Sequence, residues 1–169
     1  MSILTVNDFK TGEYYIPTKG VNQVADFEEY IDKYELTYLS KLFGKELYEL
    51  FIADLAGGST PTTPRFIFIF DPFLDQEHHC LYESKGIKEM LKGLLYFHYL
   101  RDRVSTVTTD GIQLTSSENA ETINGISHSL TSRYNQGIET FKVIQYFMCD
   151  NPDVYPEFKG VYQHFAHGF

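Results

Sequence analysis

The sequence predicts a mainly α-helical domain: a small bundle of about four helices, one of them long, with a short strand or hairpin insertion and an extended C-terminal arm. Three observations carry this. Apolar residues at Ala120, Ile123, Ile126, Leu130, Tyr134, Ile138, Phe141, Ile144 and Met148 recur about every 3.5 positions, the period of one helix face. A second stripe runs through Ile87, Met90, Leu91, Leu94, Leu95 and His98, and a third through Phe27, Ile31, Tyr34, Tyr38 and Leu42. Glycine, proline and Ser/Thr-rich stretches separate them, as breakers between helices do.

Composition sets the frame. The 169 residues carry a net charge of −9, 27 aromatics (14 Phe, 13 Tyr) and no Trp. That length suits one domain with one core. The apolar share argues against a disordered chain. No run of about 18 apolar residues is available to span a membrane, and the opening MSILTVNDFK lacks the pattern of a secretory signal. Clustered Lys and Arg, which phosphate contacts need, are missing, so wrapping nucleic acid is not expected. The two cysteines, Cys80 and Cys149, are far apart and read as buried free thiols.

The elements follow in order. Residues 1–22 read as an N-terminal arm, with Tyr14-Tyr15-Ile16 as a short strand before Pro17. The helical domain covers 23–155. Asp26 resembles an N-cap, with Glu29 in capping-box position, and Gly44 a C-terminal stop. A second short helix, Lys45 to Leu55, places Leu47, Leu50, Phe51 and Leu55 on one side and should cross the first at a sharp angle. Within the insertion 61–82, Phe66, Phe68 and Phe70 alternate with Ile67 and Ile69 between Pro64 and Pro72. That alternation predicts a strand, apolar on both faces, which must pair within the domain or against another subunit. A third helix is expected from Ser84 to Arg103, a loop or hairpin from Val104 to Ser117, then the long helix, ended by Asn151-Pro152. Gly125 and Gly137 predict a kink or a close helix contact. The tail 156–169 carries Phe158, Val161, Tyr162, Phe165 and Phe169, which need the bundle or a partner to cover them.

Catalytic patterns are sparse. Asp75-Gln-Glu77-His78-His79-Cys80 offers metal-binding side chains, but two adjacent histidines point apart and no second ligand pair stands at zinc spacing. His98 lies on an apolar stripe and reads as a core histidine; His164 and His167 read as packing or solvent residues. There is no nucleophile elbow, phosphate loop or zincin helix, and Gly57-Gly58-Ser59-Thr60 lacks the lysine a phosphate loop needs. The expectation is a non-enzyme with no metal and no cofactor.

Several segments together resemble one family. YELTYLSKLFGKELYELF (Tyr34 to Phe51) resembles the leucine-rich helix, LFG break and E-L-Y helix of phage head–tail connector proteins. GIKEMLKGLLYFHYLRDR (Gly86 to Arg103) is similar to their next, aromatic-rich helix, and TTDGIQLTSSENAE (Thr108 to Glu121) to the loop before their long helix. RYNQGIETFKVIQYFMCDNPDVYPEFKG (Arg133 to Gly160) resembles the pattern of the Bacteroidetes-phage, prophage and crAss-like branch. The insertion 61–82 lies outside the resemblance.

The resemblance implies a structural virion protein of the head–tail neck, assembled in the host cytoplasm. It implies a ring of twelve copies that docks on the portal, extends the DNA channel and offers a platform to a tail or stopper protein. DNA would pass without sequence-specific contact, which an acidic wall suits. The residues expected to contact partners are Phe158, Tyr162, Phe165 and Phe169 in the tail and Phe66, Phe68 and Phe70 at a subunit seam. Two rival readings are a small metal-dependent hydrolase or nuclease built on His78 and His79, and a soluble adaptor module unrelated to phages.

Overall fold

The computed structural model describes residues 2–17, 21–55, 58–77, 80–108, 111–114 and 123–160. Four helices account for most of them: α1 (Val21–Asp54), α2 (Pro64–Phe70), α3 (Ile87–Val104) and α4 (Ile123–Asp150). Two antiparallel hairpins join the helices. Strands β1 (Phe73–Glu77) and β2 (Cys80–Ser84) link α2 to α3, while β3 (Ser105–Thr108) and β4 (Gly111–Leu114) link α3 to α4. The predicted mainly α bundle with one long helix and a strand insertion is therefore the fold; the segment beyond Gly160 lies outside the described residues.

The two N-terminal helices expected on either side of Gly44 are present: α1 runs continuously in name only, being two helical halves that meet at a kink. Gly44 leaves helical geometry, at φ 69 and ψ 173, a combination open in practice to glycine alone. The break deprives the carbonyls of Lys41 and Leu42 of regular helical donors, and α4 supplies one: the Gln145 side-chain amide donates to both, at 3.2 and 3.3 Å. Phe43 and Phe51 meet across the bend, 4.7 Å between centroids. The helix begins five residues before Asp26, which is thus inside it and not its cap. Tertiary packing of the Phe27 turn outweighs a local capping signal.

The α3–α4 pair is the closest in the bundle, and glycine permits it on both sides. A Cβ on Gly93 would fall 2.9 Å from the Arg133 carbonyl oxygen, and one on Gly137 would fall 3.0 Å from Leu94 Cγ. The close contact expected at Gly137 is present. Between these helices and α1 lies the core: Phe27, Ile31, Leu42, Leu47, Phe51, Ile87, Leu91, Leu94, Leu95, Phe141 and Ile144 are each at most 2 % exposed. Each such side chain contributes roughly 1.5–3 kcal/mol by leaving water.

The N-terminal arm belongs to this core. Ile3, Leu4, Val6, Phe9 and Ile16 are buried, and the Phe9 ring meets Phe27 edge-on at 5.0 Å. Its backbone is held by Glu35 of α1, whose carboxylate accepts the N–H groups of Ile3 and Leu4 at 3.0 and 2.6 Å. The strand expected at Tyr14–Ile16 is not formed. Gly12–Tyr14 is a 3-10 turn, and Tyr14 turns inward against Tyr96, with the Arg133 guanidinium over both rings.

The strand predicted at Phe66–Phe70 is also corrected: it is helix α2. Thr63 stands at the N-cap with extended backbone and Pro64 opens the helix, the position proline favours. Asp54 anchors this start by accepting from the N–H groups of Thr62 and Thr63. Phe66, Ile69 and Phe70 are buried while Ile67 and Phe68 are exposed, which is spacing of 3 and 4 and not of 2. Alternation of two apolar residue types concealed a helical face.

Candidate functional site

The residues expected to contact partners part company in the structure. Phe66 (2 % exposed) and Phe70 (8 %) serve the subunit's own core; the Phe66 ring lies edge-on to Phe51 at 5.4 Å. A seam strand made of Phe66, Phe68 and Phe70 is therefore absent. Phe68 stays 44 % exposed, stacked on Phe147 of α4 at 4.8 Å and tilted against Phe73 at 4.9 Å. Phe158 packs partly buried against the core, so it closes its own bundle. Tyr162, Phe165 and Phe169 lie outside the described residues.

The segment after α4 is a fitted lid on α2. Tyr155 is 1 % exposed. The Arg65 guanidinium donates to the Val154 carbonyl oxygen at 3.1 Å and pairs with the Glu157 carboxylate at 3.0 Å. Lys159 reaches Glu46 of α1 at 2.6 Å. The YPEF sequence is thus explained by packing within one subunit.

Three surfaces stand out that the sequence reading did not single out. The first is a groove of about 290 Å³ in the crook of α1. Leu36 and Leu39 line it from the half before Gly44, and Tyr48, Ile52 and Leu55 from the half after; Ile3 closes one end, and Asp32 and Glu35 add carboxylates. Leu36 is 56 % exposed. Burial raises the Glu35 carboxyl above its ordinary value, against the pull of the Leu4 and Ile3 N–H groups. The sequence held one cue: Leu36 falls off the Tyr34–Tyr38 stripe, and apolar residues off a stripe are accessible.

The second surface is the outer face of the β1–β2 hairpin. The register pairs Phe73 with Ser84, Leu74 with Glu83 and Asp75 with Tyr82. Leu74 and Leu81 therefore share the face opposite Phe73, and they are 66 and 68 % exposed.

The third is a tyrosine–histidine cluster where α1 meets α3. Tyr30, Tyr34 and Tyr38 are spaced by four along α1, a ladder legible in the sequence. The Tyr30 hydroxyl donates to Asp102 at 2.7 Å. The His98 ring stacks on Tyr34 at 4.6 Å, and its Nε2 lies 2.5 Å from the Tyr38 hydroxyl. His98 Nδ1 is buried without a hydrogen-bond partner. Burial holds the imidazole down at about 4, with the Arg101 charge adding to that effect, Asp102 opposing it and Lys41 adding slightly. The ring is neutral at pH 7. The expected core role of His98 fits this setting.

Among the described residues no group of three or more His, Cys, Asp or Glu is placed to hold a metal ion. His78 and His79, on which the hydrolase reading rests, lie outside the described residues. Cys149 is a free thiol, but it is exposed and not buried as expected, because it falls one position past the buried Met148 on the α4 stripe. Among the described residues no helix is long and apolar enough to cross a membrane. Searches against protein-family models, curated proteins and solved structures find no match to this chain.

Proposed function

We propose that the chain is a structural subunit of a phage or prophage head–tail connector: a ring of identical copies that docks on the portal, extends the DNA channel and carries a tail or stopper protein. One observation carries the reading. Three of the four segments of the resemblance have a distinct architectural role in the fold: the LFG break is the kink at Gly44, the aromatic helix is α3, and the YPEF segment locks over α2; most of the Thr108 to Glu121 segment lies outside the described residues.

Two further features are compatible with it. The net charge of −9 suits a wall along which DNA slides without sticking. Closing a ring needs two different complementary patches on every copy, and the groove and the hairpin face are two surfaces with exposed leucines on separate elements.

The test is assembly. The purified chain, mixed with the portal protein of the phage or prophage that encodes it, is expected to give rings in negative-stain images and to be found by mass spectrometry in purified particles. Stoichiometric metal in the purified chain, or turnover of a phosphodiester substrate, would replace this reading with the hydrolase.

A further inference from the structure

We propose that the groove in the crook of α1 receives the aromatic segment Tyr162–Phe169 of a second copy of the chain; this rests on the reading above insofar as both require copies to touch.

The groove has the right capacity. An apolar cavity of about 150 Å³ accepts a benzene ring, so about 290 Å³ holds two aromatic side chains. Its walls are Leu36, Leu39, Ile52 and Leu55, with Tyr48 at the side.

The segment has the matching pattern. Tyr162, Phe165 and Phe169 are spaced by 3 and 4, the arrangement by which one helix face anchors in a groove. Residues 161–169 contain no Asp, Glu, Lys or Arg, so burying them strands no full charge. His164 and His167 are residues of a type that can donate to a carboxylate such as Asp32, which lines the groove.

The exit point selects a second copy over the chain's own groove. Lys159 is tied to Glu46, and a Cβ on Gly160 would lie 4.0 Å from Cys149 Sγ. Glu46 precedes Tyr48, Ile52 and Leu55 by two, six and nine positions on the same helix. At about 3.6 residues per turn those three lie roughly half to two-thirds of a turn around the axis from it. The chain thus leaves on the side of α1 away from its own groove and would have to wrap around the helix to enter it, whereas a neighbour's groove can face it directly. Nine further residues reach at most about 30 Å when extended, enough to enter a neighbour set head to tail, and such a contact repeats from copy to copy.

Cross-linking of full-length chains tests this, all in a Cys80→Ser, Cys149→Ser background. A chain carrying Ile52→Cys is mixed under oxidising conditions with one carrying Phe165→Cys. The covalent heterodimer is expected to form at least about tenfold faster, equivalent to about 1.4 kcal/mol, than with a control chain carrying Glu139→Cys on exposed α4 surface. Adding Leu36→Asp, at an exposed position, to the groove chain should return the rate to the control. Two results would overturn the proposal. One is a heterodimer rate equal to the control. The other is a chain bearing both Ile52→Cys and Phe165→Cys that closes on itself, at a rate independent of concentration, ahead of forming dimers. Presence in purified particles is scored separately. A chain that enters particles without this cross-link defeats the inference alone, and one that cross-links but is absent from particles defeats the connector reading alone.

Discussion

The Tyr155 hydroxyl donates to the Arg65 carbonyl oxygen at 2.7 Å, joining the segment after α4 to the first turn of α2. Tyr155→Phe keeps the ring and removes this bond. The expected loss is about 1 kcal/mol, the net value of such a hydrogen bond. Tyr155→Ala also empties the site beneath the lid and should cost roughly 3–5 kcal/mol. Urea midpoints at constant slope measure both, and an unchanged midpoint for the alanine variant would show that the lid does not pack as described.

The α3–α4 contact predicts unequal penalties for two similar substitutions. Gly93→Ala drives a methyl to 2.9 Å from the Arg133 carbonyl oxygen, and Gly137→Ala drives one to 3.0 Å from Leu94 Cγ and 3.2 Å from the Met90 carbonyl oxygen. The backbone oxygen, which cannot rotate away, is the nearer at Gly93. Gly93→Ala should cost roughly 1–3 kcal/mol net of the propensity gained, and Gly137→Ala less. Thermal unfolding of the two variants side by side gives the order.

Gly44→Ala places a side chain at φ 69, ψ 173. The expected destabilisation is about 1–3 kcal/mol. The same variant should reshape the crook, so in the cross-linking assay it should slow the heterodimer more than its loss of stability alone explains. Denaturant curves and cross-linking rates on one preparation separate the two effects.

His98 makes stability depend on pH in a defined window. Its folded pKa, about 4, lies below the unfolded value of about 6.5. Between the two the unfolded chain binds the extra proton, so stability falls as pH drops from about 6.5 toward 4. His98→Gln removes the titration. Its unfolding free energy should vary less with pH across that window than the wild type's, and parallel curves would refute the assignment.

Regular periodicity made most of the helical framework legible. The stripe Ile138, Phe141, Ile144, Met148 and the stripe Ile87 to Leu95 are buried where the spacing puts them. Three readings failed for physical reasons. Phe66–Phe70 alternates in residue type while burying at helical spacing, and seven residues are too few for period alone to decide. The Asp26 capping signal is real as local chemistry, but the preceding residues extend the helix through it. The strand expected at Tyr14–Ile16 is replaced by a 3-10 turn at Gly12–Tyr14, because the Tyr14 ring turns inward against Tyr96. The groove was the least legible feature, because it exists only after Gly44 folds residues 36–39 toward 48–55. No window of adjacent residues contains both walls.

The Gln145 amide that seats on the Lys41 and Leu42 carbonyls welds the bend in α1 to α4, the longest unbroken helix of the bundle. The crook is therefore preorganised: its shape is set when the monomer folds, and an incoming side chain finds no wall that must first move. Little ordering entropy is then left to spend at the groove itself. Under the proposed docking, variation should lie in residence time more than in capture rate, and copies of the chain would be able to try, release and retry the contact.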